Sequence, residues 1–110
     1  MEERLPTHLY VQSHLWRCSA EGIPVYVVRR GERESGMILL KVAQPGGSKV
    51  YSQSRDMEGR LGWLAGLGGD LVPEADANAY IERQVMRDPD IWVIEVESRD
   101  GSHPFDGPMI

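Results

Sequence analysis

The sequence predicts a single α+β domain: an N-terminal helix, an antiparallel β-meander of three to four strands, a second helix, and a C-terminal strand joining the sheet. Three observations predict it. Glycine and proline divide the chain into short elements. β-branched and aliphatic residues crowd the stretch after Pro24. Apolar residues then return at four-residue spacing after Pro73, ahead of one last apolar run. At 110 residues the chain suffices for one core, since domains usually run from about 50 to 250 residues. The expected domain spans 1–110, with residues 1–6 and about 100–110 as loosely held ends.

The first helix is expected from Thr7, a capping residue type, to about Glu21, with Gly22 and Ile23-Pro24 as the stop. On a helical wheel Val11, Leu15 and Cys18 share one face, while Leu9, Trp16 and Ala20 lie nearly opposite. A helix apolar on two sides is either sandwiched in the fold or half-used by a partner. A short strand over Leu9–Val11 leading into a helix is the rival reading.

Val25 to Arg30 and Met37 to Val42 read as strands joined by the polar tip Gly31-Glu32-Arg33-Glu34-Ser35-Gly36, a hairpin. Pairing Val27 with Leu40 and Tyr26 with Lys41 puts Val25, Val27, Ile38, Leu40 and Val42 on one apolar face, and a one-residue slip would destroy it. Gln44 to Ser48 turns into a third strand, Lys49 to Ser54. Placing Val50 beside Val42 sets Tyr51 across from Lys41, so the other face would show a Tyr26–Lys41–Tyr51 row. Arg60 to Leu64 is a fourth strand, weakened by Gly62.

The segment Gly66 to Val72 is a loop. The second helix runs from Pro73 to about Arg87, with Glu74 and Asp76 complementing its dipole and Ala77, Ile81 and Val85 forming its buried stripe. Asp88-Pro89 ends it. Ile91 to Glu97 is apolar on both faces at its start, which predicts an interior place in the sheet. Trp16, Trp63 and Trp92 are the large core candidates.

Twelve basic against seventeen acidic side chains leave a net charge of −5. That sign repels phosphate backbones and anionic lipid, so neither nucleic acid nor membrane is an expected partner. No apolar run approaches the roughly 18 residues of a span. The acidic start lacks a secretory signal, and the lone cysteine fits a reducing cytoplasm.

Candidate chemistry is sparse. His14 and Cys18 share a helix side, yet zinc needs further ligands, and only His8 and His103 offer imidazole nitrogens besides. Cys18 lies on the apolar stripe, where a thiol behaves as a small hydrophobe. Gly66-x-Gly68-Gly69 lacks the Lys-Ser/Thr of a phosphate loop and is followed by Asp70. Pro89-Asp90 with Glu95-x-Glu97 has the outline of a metal-dependent nuclease motif but carries Glu97 where the lysine belongs; both glutamates read as a solvated strand face. Arg29, Arg30 and Arg33 at the hairpin tip could clamp an anion, with Arg55 and Arg60 as neighbours, or be neutralised by Glu32 and Glu34. The Tyr26–Lys41–Tyr51 row is either a cation held between rings or a groove for a flat ligand.

Leu9-Tyr10-Val11 with its helix, Gly22 to Gly31, Gly36 to Lys41, Tyr80 to Gln84 and Asp88 to Glu97 together resemble the bacterial family known as domain of unknown function fourteen-ninety-one, over nearly the whole chain. The resemblance implies a cytoplasmic bacterial protein and brings no activity, cofactor or catalytic residue with it.

The residues thus point to a small non-enzymatic binding or assembly module with a second copy or another protein as partner, no cofactor and no metal. Arg29, Arg30, Arg33, Tyr26, Lys41 and Tyr51 are the candidate binding residues. The alternative is a small enzyme or anion-binding protein using the arginine tip.

Overall fold

The computed structural model describes residues 5–105 and 107–110. In chain order it comprises α1 (Thr7–Ala20), β1 (Val25–Arg29), β2 (Ile38–Gln44), β3 (Gly47–Arg55), β4 (Leu61–Ala65), a 3-10 turn at Leu67–Gly69, α2 (Glu74–Arg87) and β5 (Trp92–Glu97). The strands form one sheet in the order β1-β5-β2-β3-β4. β2, β3 and β4 are the expected antiparallel meander. β5 lies parallel to β2 and antiparallel to β1, so the sheet is mixed.

The β1–β2 hairpin expected from the sequence is therefore opened by β5. The interior place foreseen for β5 is where it lies, and its apolar residues explain why. Trp92, Ile94 and Val96 are buried on the face covered by α1, with Val11, Cys18, Ile38, Leu40 and Val42. Ile91 and Val93 are buried beneath α2, with Leu39, Val50, Ala77 and Ile81. A strand apolar on both faces gains most between two neighbours and two layers. The polar tip between β1 and β2 must then cross the start of β5. Glu32 N–H donates to Asp90 O at 2.9 Å, and the Trp92 indole donates to Glu32 O at 2.8 Å.

A second correction follows from register. Val50 pairs with Lys41, and Val42 with Lys49, one position from the expected pairing. Gln44 faces Gly47 across Pro45-Gly46, with Gly46 at φ +92°, a two-residue connection that fixes this alignment. The shift turns Tyr51 to the α1 face, so the Tyr26–Lys41–Tyr51 row does not form.

α1 is one continuous helix that includes Leu9–Val11, so the rival strand there does not form. Thr7 does not cap it. Carbonyls of the crossing loop accept its first amides, Thr7 N–H to Glu34 O at 3.1 Å and His8 N–H to Arg33 O at 2.9 Å, and the Thr7 hydroxyl donates to Gly36 O. At the other end Gly22 at φ +70° completes a Schellman pair, Ile23 N–H to Cys18 O and Gly22 N–H to Ser19 O. α2 buries Ala77 and Ile81, and extended Asp88 before Pro89 ends it as expected.

The last residues run beside β4. Trp63 N–H donates to Pro108 O and Ile110 N–H to Trp63 O, both at 2.9 Å, and Phe105 is buried against Trp63. Residues 1–4, part of the end expected to be loosely held, lie outside the described residues. No described helix is long and apolar enough to cross a membrane.

The crossing leaves no room for side chains at the loop's two glycines. A Cβ on Gly31 would stand 2.1 Å from Asp90 O, and one on Gly36 would stand 2.5 Å from the same atom. Gly31→Ala should destabilise the fold by about 1–3 kcal/mol, the range for overpacking. Urea denaturation measures it, with Ser35→Ala as a neighbour expected to cost under about 1 kcal/mol.

Candidate functional site

Lys41 is the most constrained charge among the described residues. Only 3% of it is exposed, yet β2 carries it into the layer beneath α2. Its ammonium meets Glu74 Oε1 at 3.0 Å, Asn78 Oδ1 at 3.0 Å and Glu95 Oε1 at 3.2 Å. All three protons thus have oxygen partners, the condition for burying a lysine charged. The sequence offered Lys41 as a binding cation. Its partners come from α2 and β5, distant in sequence, and the i+4 spacing of Glu74 and Asn78 on a helix opposite a lysine was the available signal.

The other candidates diverge. Arg29 donates from Nη2 to Pro89 O at 2.8 Å, whereas Arg30 lies 5.8 Å from the Trp92 ring centre on the α1 face. Alternation along the chain separates them, Arg29 pairing with Val93 after the bulge that follows Val27. The Arg33 side chain is exposed, and its carbonyl caps α1. Arg60 pairs instead with Asp56 and Glu58. Glu32, read as neutralising the tip, accepts from the amides of Glu34 and Ser35, which hold its carboxyl below its ordinary range. Tyr26 is 52% exposed at the sheet edge, with its cross-strand neighbour Glu95 between it and Lys41. Glu95 is thus an ion-pair partner, while Glu97 is exposed as expected.

Two of the three histidines, His14 and His103, join an aromatic group on the α1 face, while His8 Nδ1 lies 3.1 Å from Arg33 O. His14 lies between Tyr10 (ring centres 4.0 Å apart) and Phe105 (5.1 Å, 11° interplanar), with Nδ1 2.7 Å from Tyr10 O. His103 packs on Tyr51 at 5.4 Å and edge-on to Trp63 at 5.7 Å, its Nδ1 buried without a partner among the described residues. Cys18 is fully buried, and burial pushes its thiol up, away from the reactive thiolate. Among the described residues no three His, Cys, Asp or Glu side chains gather as a metal site. The tail's contribution went unread because a lone phenylalanine among Gly, Pro and Asp carries no periodic pattern.

Beside His103 a shallow groove of about 370 Å³ runs between the end of α1 and the end of β5, lined by Glu21, Ile23, Glu97, Arg99 and Ser102 among others. Its acids, Glu21 and Glu97, are exposed; next to it, hydrogen bonds from the Ser102 hydroxyl and amide and from Ser98 hold Asp100 down to about 2. The groove thus offers hydrogen-bonding groups, one arginine, two exposed carboxylates and the half-buried His103 imidazole.

The outer face of α1 differs from all of these. Trp16, one of the three expected core tryptophans, is 72% exposed, whereas Trp63 and Trp92 are buried. Leu9, two turns earlier on the same side, is 46% exposed. Gln12, Ser13 and Ala20 complete this face, which carries no charged residue.

Two helices on opposite sides of a five-stranded mixed sheet define a small α+β protein. The chain belongs to the DUF1491 family, described as a protein of unknown function, whose model matches residues 5–106. A crystal structure of a DUF1491 family protein from Caulobacter crescentus CB15 is similar with a TM-score of 0.85 and 32% identity, covering 97% of this chain and 100% of that one. An NMR structure of a DUF1491 family protein from the same organism gives 0.85 and 31%, covering 99% of each chain. The solution structure of protein Atu0922 from A. tumefaciens shares the fold, at a TM-score of 0.72 and 24% identity over 87% of each chain. No curated protein matches.

Two outcomes follow from this geometry. Glu74 is 69% exposed, so its carboxylate returns to water when Lys41 is lost. Lys41→Met then strands only Glu95, 24% exposed, and should cost about 1–3 kcal/mol, while Glu74→Ala with Glu95→Ala leaves a buried ammonium and should cost about 3–5 kcal/mol in urea denaturation. Burial also holds the His103 imidazole below its usual 6.5. The unfolded chain then takes up that proton first as pH falls. The neutral side chain's contribution is complete above pH 6.5 and is lost as pH falls through the folded value. Stability should decline by at most about 1.4 kcal/mol per unit from this group, and His103→Gln should remove that component from urea midpoints measured between pH 7.5 and 5 (a range of about 2.5 units).

Proposed function

We propose that this protein is a small non-enzymatic binding or assembly module of the bacterial cytoplasm, working through protein contact. The uncharged outer face of α1, with Trp16 at 72% and Leu9 at 46% exposure, carries the reading. Contact-surface cores are depleted in charge and enriched in tryptophan, and large rigid aromatics contribute most of the binding energy. A second apolar surface supports it: Tyr26 and Val28 at the β1 edge are 52% and 60% exposed. The dispersal of ionisable groups argues the same way. Lys41 is consumed by three partners, Cys18 is buried, and Arg29 and Arg30 lie on opposite faces.

A photo-crosslinking amino acid in place of Trp16, in cells expressing the full chain, tests the reading. A discrete adduct, either at twice the chain mass or with another protein, is expected at position 16. The same probe at Glu82, exposed on α2, should give none. Equal labelling at both positions, or none at 16, overturns the reading.

A further inference from the structure

We propose that the occupant of the α1 outer face is a second copy of this chain, docked with its own α1 antiparallel about Gln12 and Ser13. This rests on the contact-module reading above and names its partner. A twofold contact sets a patch against itself, so any charge at its centre meets its own like. In a chain with 26% charged residues, this face has none. Arg17, the one Lys, Arg, Asp or Glu residue within α1, is turned aside to donate to Pro104 O. The Ser13 hydroxyl donates to Tyr10 O at 2.9 Å and needs no water at the centre. The other apolar surface lacks this property: Tyr26 is bordered by Glu95 and Glu97, and the strand beneath it is bulged.

The residues also fit one another. Leu9 and Trp16 lie on either side of the Gln12–Ser13 midpoint, so the antiparallel arrangement sets each Trp16 over Leu9 of the second copy, large against medium. A parallel twofold pair would stack Trp16 on Trp16 and align the helix dipoles; the antiparallel pair opposes them. Area sets the strength. A 14-residue helix is about 21 Å long and 10–12 Å wide. That footprint falls well below the roughly 800 Å² per partner of a standard interface, which places the dimer in the weak, transient class.

Sedimentation of the full chain from about 5 to 500 µM, a span bracketing that weak class, decides the matter. The wild type should pass from monomer to dimer across this range. Leu9→Glu and Trp16→Arg should each remain monomeric, with unchanged far-UV circular dichroism and melting temperature, because both positions are on the surface. Mixed in equal amounts, the two variants should dimerise again. At one crossing the introduced carboxylate of the first variant then meets the introduced guanidinium of the second, and the other crossing retains the natural Trp–Leu pair. A wild type monomeric throughout overturns the proposal, as does a dimer indifferent to both variants or a mixture that stays monomeric. A monomeric wild type whose position-16 probe still captures a different protein leaves the contact-module reading standing and removes the second copy.

Discussion

Most of this structure depends on β5 lying between β1 and β2. It arrives last in the chain, yet both neighbouring strands hydrogen-bond to it, and both helix layers bury its side chains. Without it, β1 would stand apart from the meander with Val25 and Val27 half-covered. The placement forces the loop of residues 30–37 to step across the start of β5, roughly two strand spacings of 4.8 Å each. Contacts made during that step do further duty. The carbonyls of Arg33 and Glu34 receive the first amides of α1, so the interior strand indirectly fixes the first helix. Such long-range closure predicts a fold that forms late and cooperatively, since β1 gains its pairing only when residues 92–97 arrive.

The elements were largely legible in the sequence, and their pairing was not. Ala77, Ile81 and Val85 announced α2, and Gly22 announced the end of α1, because both are local signals. Ile91 to Val96 announced an interior strand through apolarity on both faces. What the sequence could not supply was the neighbour. Two apolar strands separated by a short polar tip satisfy the local rule for a hairpin, and only the competing demand of β5 for two neighbours opens them. The Tyr26–Lys41–Tyr51 row failed at both ends: β5 sets Glu95 between Tyr26 and Lys41, and a one-residue shift at Pro45-Gly46 turns Tyr51 away. Side-chain period two turns such a shift into a change of face.

The one deeply buried ammonium among the described residues stays on its expected face, opposite Leu40 and Val42, and it is α2 that covers it there. On the α2 face beside Val50, Lys41 meets a helix whose first turn already carries Glu74 for dipole reasons, and whose next turn brings Asn78. A residue that sequence alone offers as a ligand contact thus becomes a pin between sheet and helix. Burial of an ammonium with three oxygen partners contributes little net stability relative to an apolar replacement, but it penalises any other seating of α2.

Width decides what is left over. Five strands span about 19 Å, and a helix covers about 10–12 Å, so each sheet face needs roughly two helices. On one face the tail residues His103 and Phe105, with Tyr51 and Trp63, supply the missing cover beside α1. On the other, α2 lies over β2 and β3, and Tyr26 at the far edge stays exposed. That bare edge has a geometric cause within the fold and is bulged and flanked by acids, features that discourage strand addition. Trp16 has no such cause. It stands on the outside of a helix whose inner face is already filled by Val11, His14 and Cys18, so nothing in the packing of the described residues requires a large aromatic there. The contact proposed at α1 would give that tryptophan a role, whereas the bare sheet edge already has a cause within the fold, and that asymmetry separates the two surfaces.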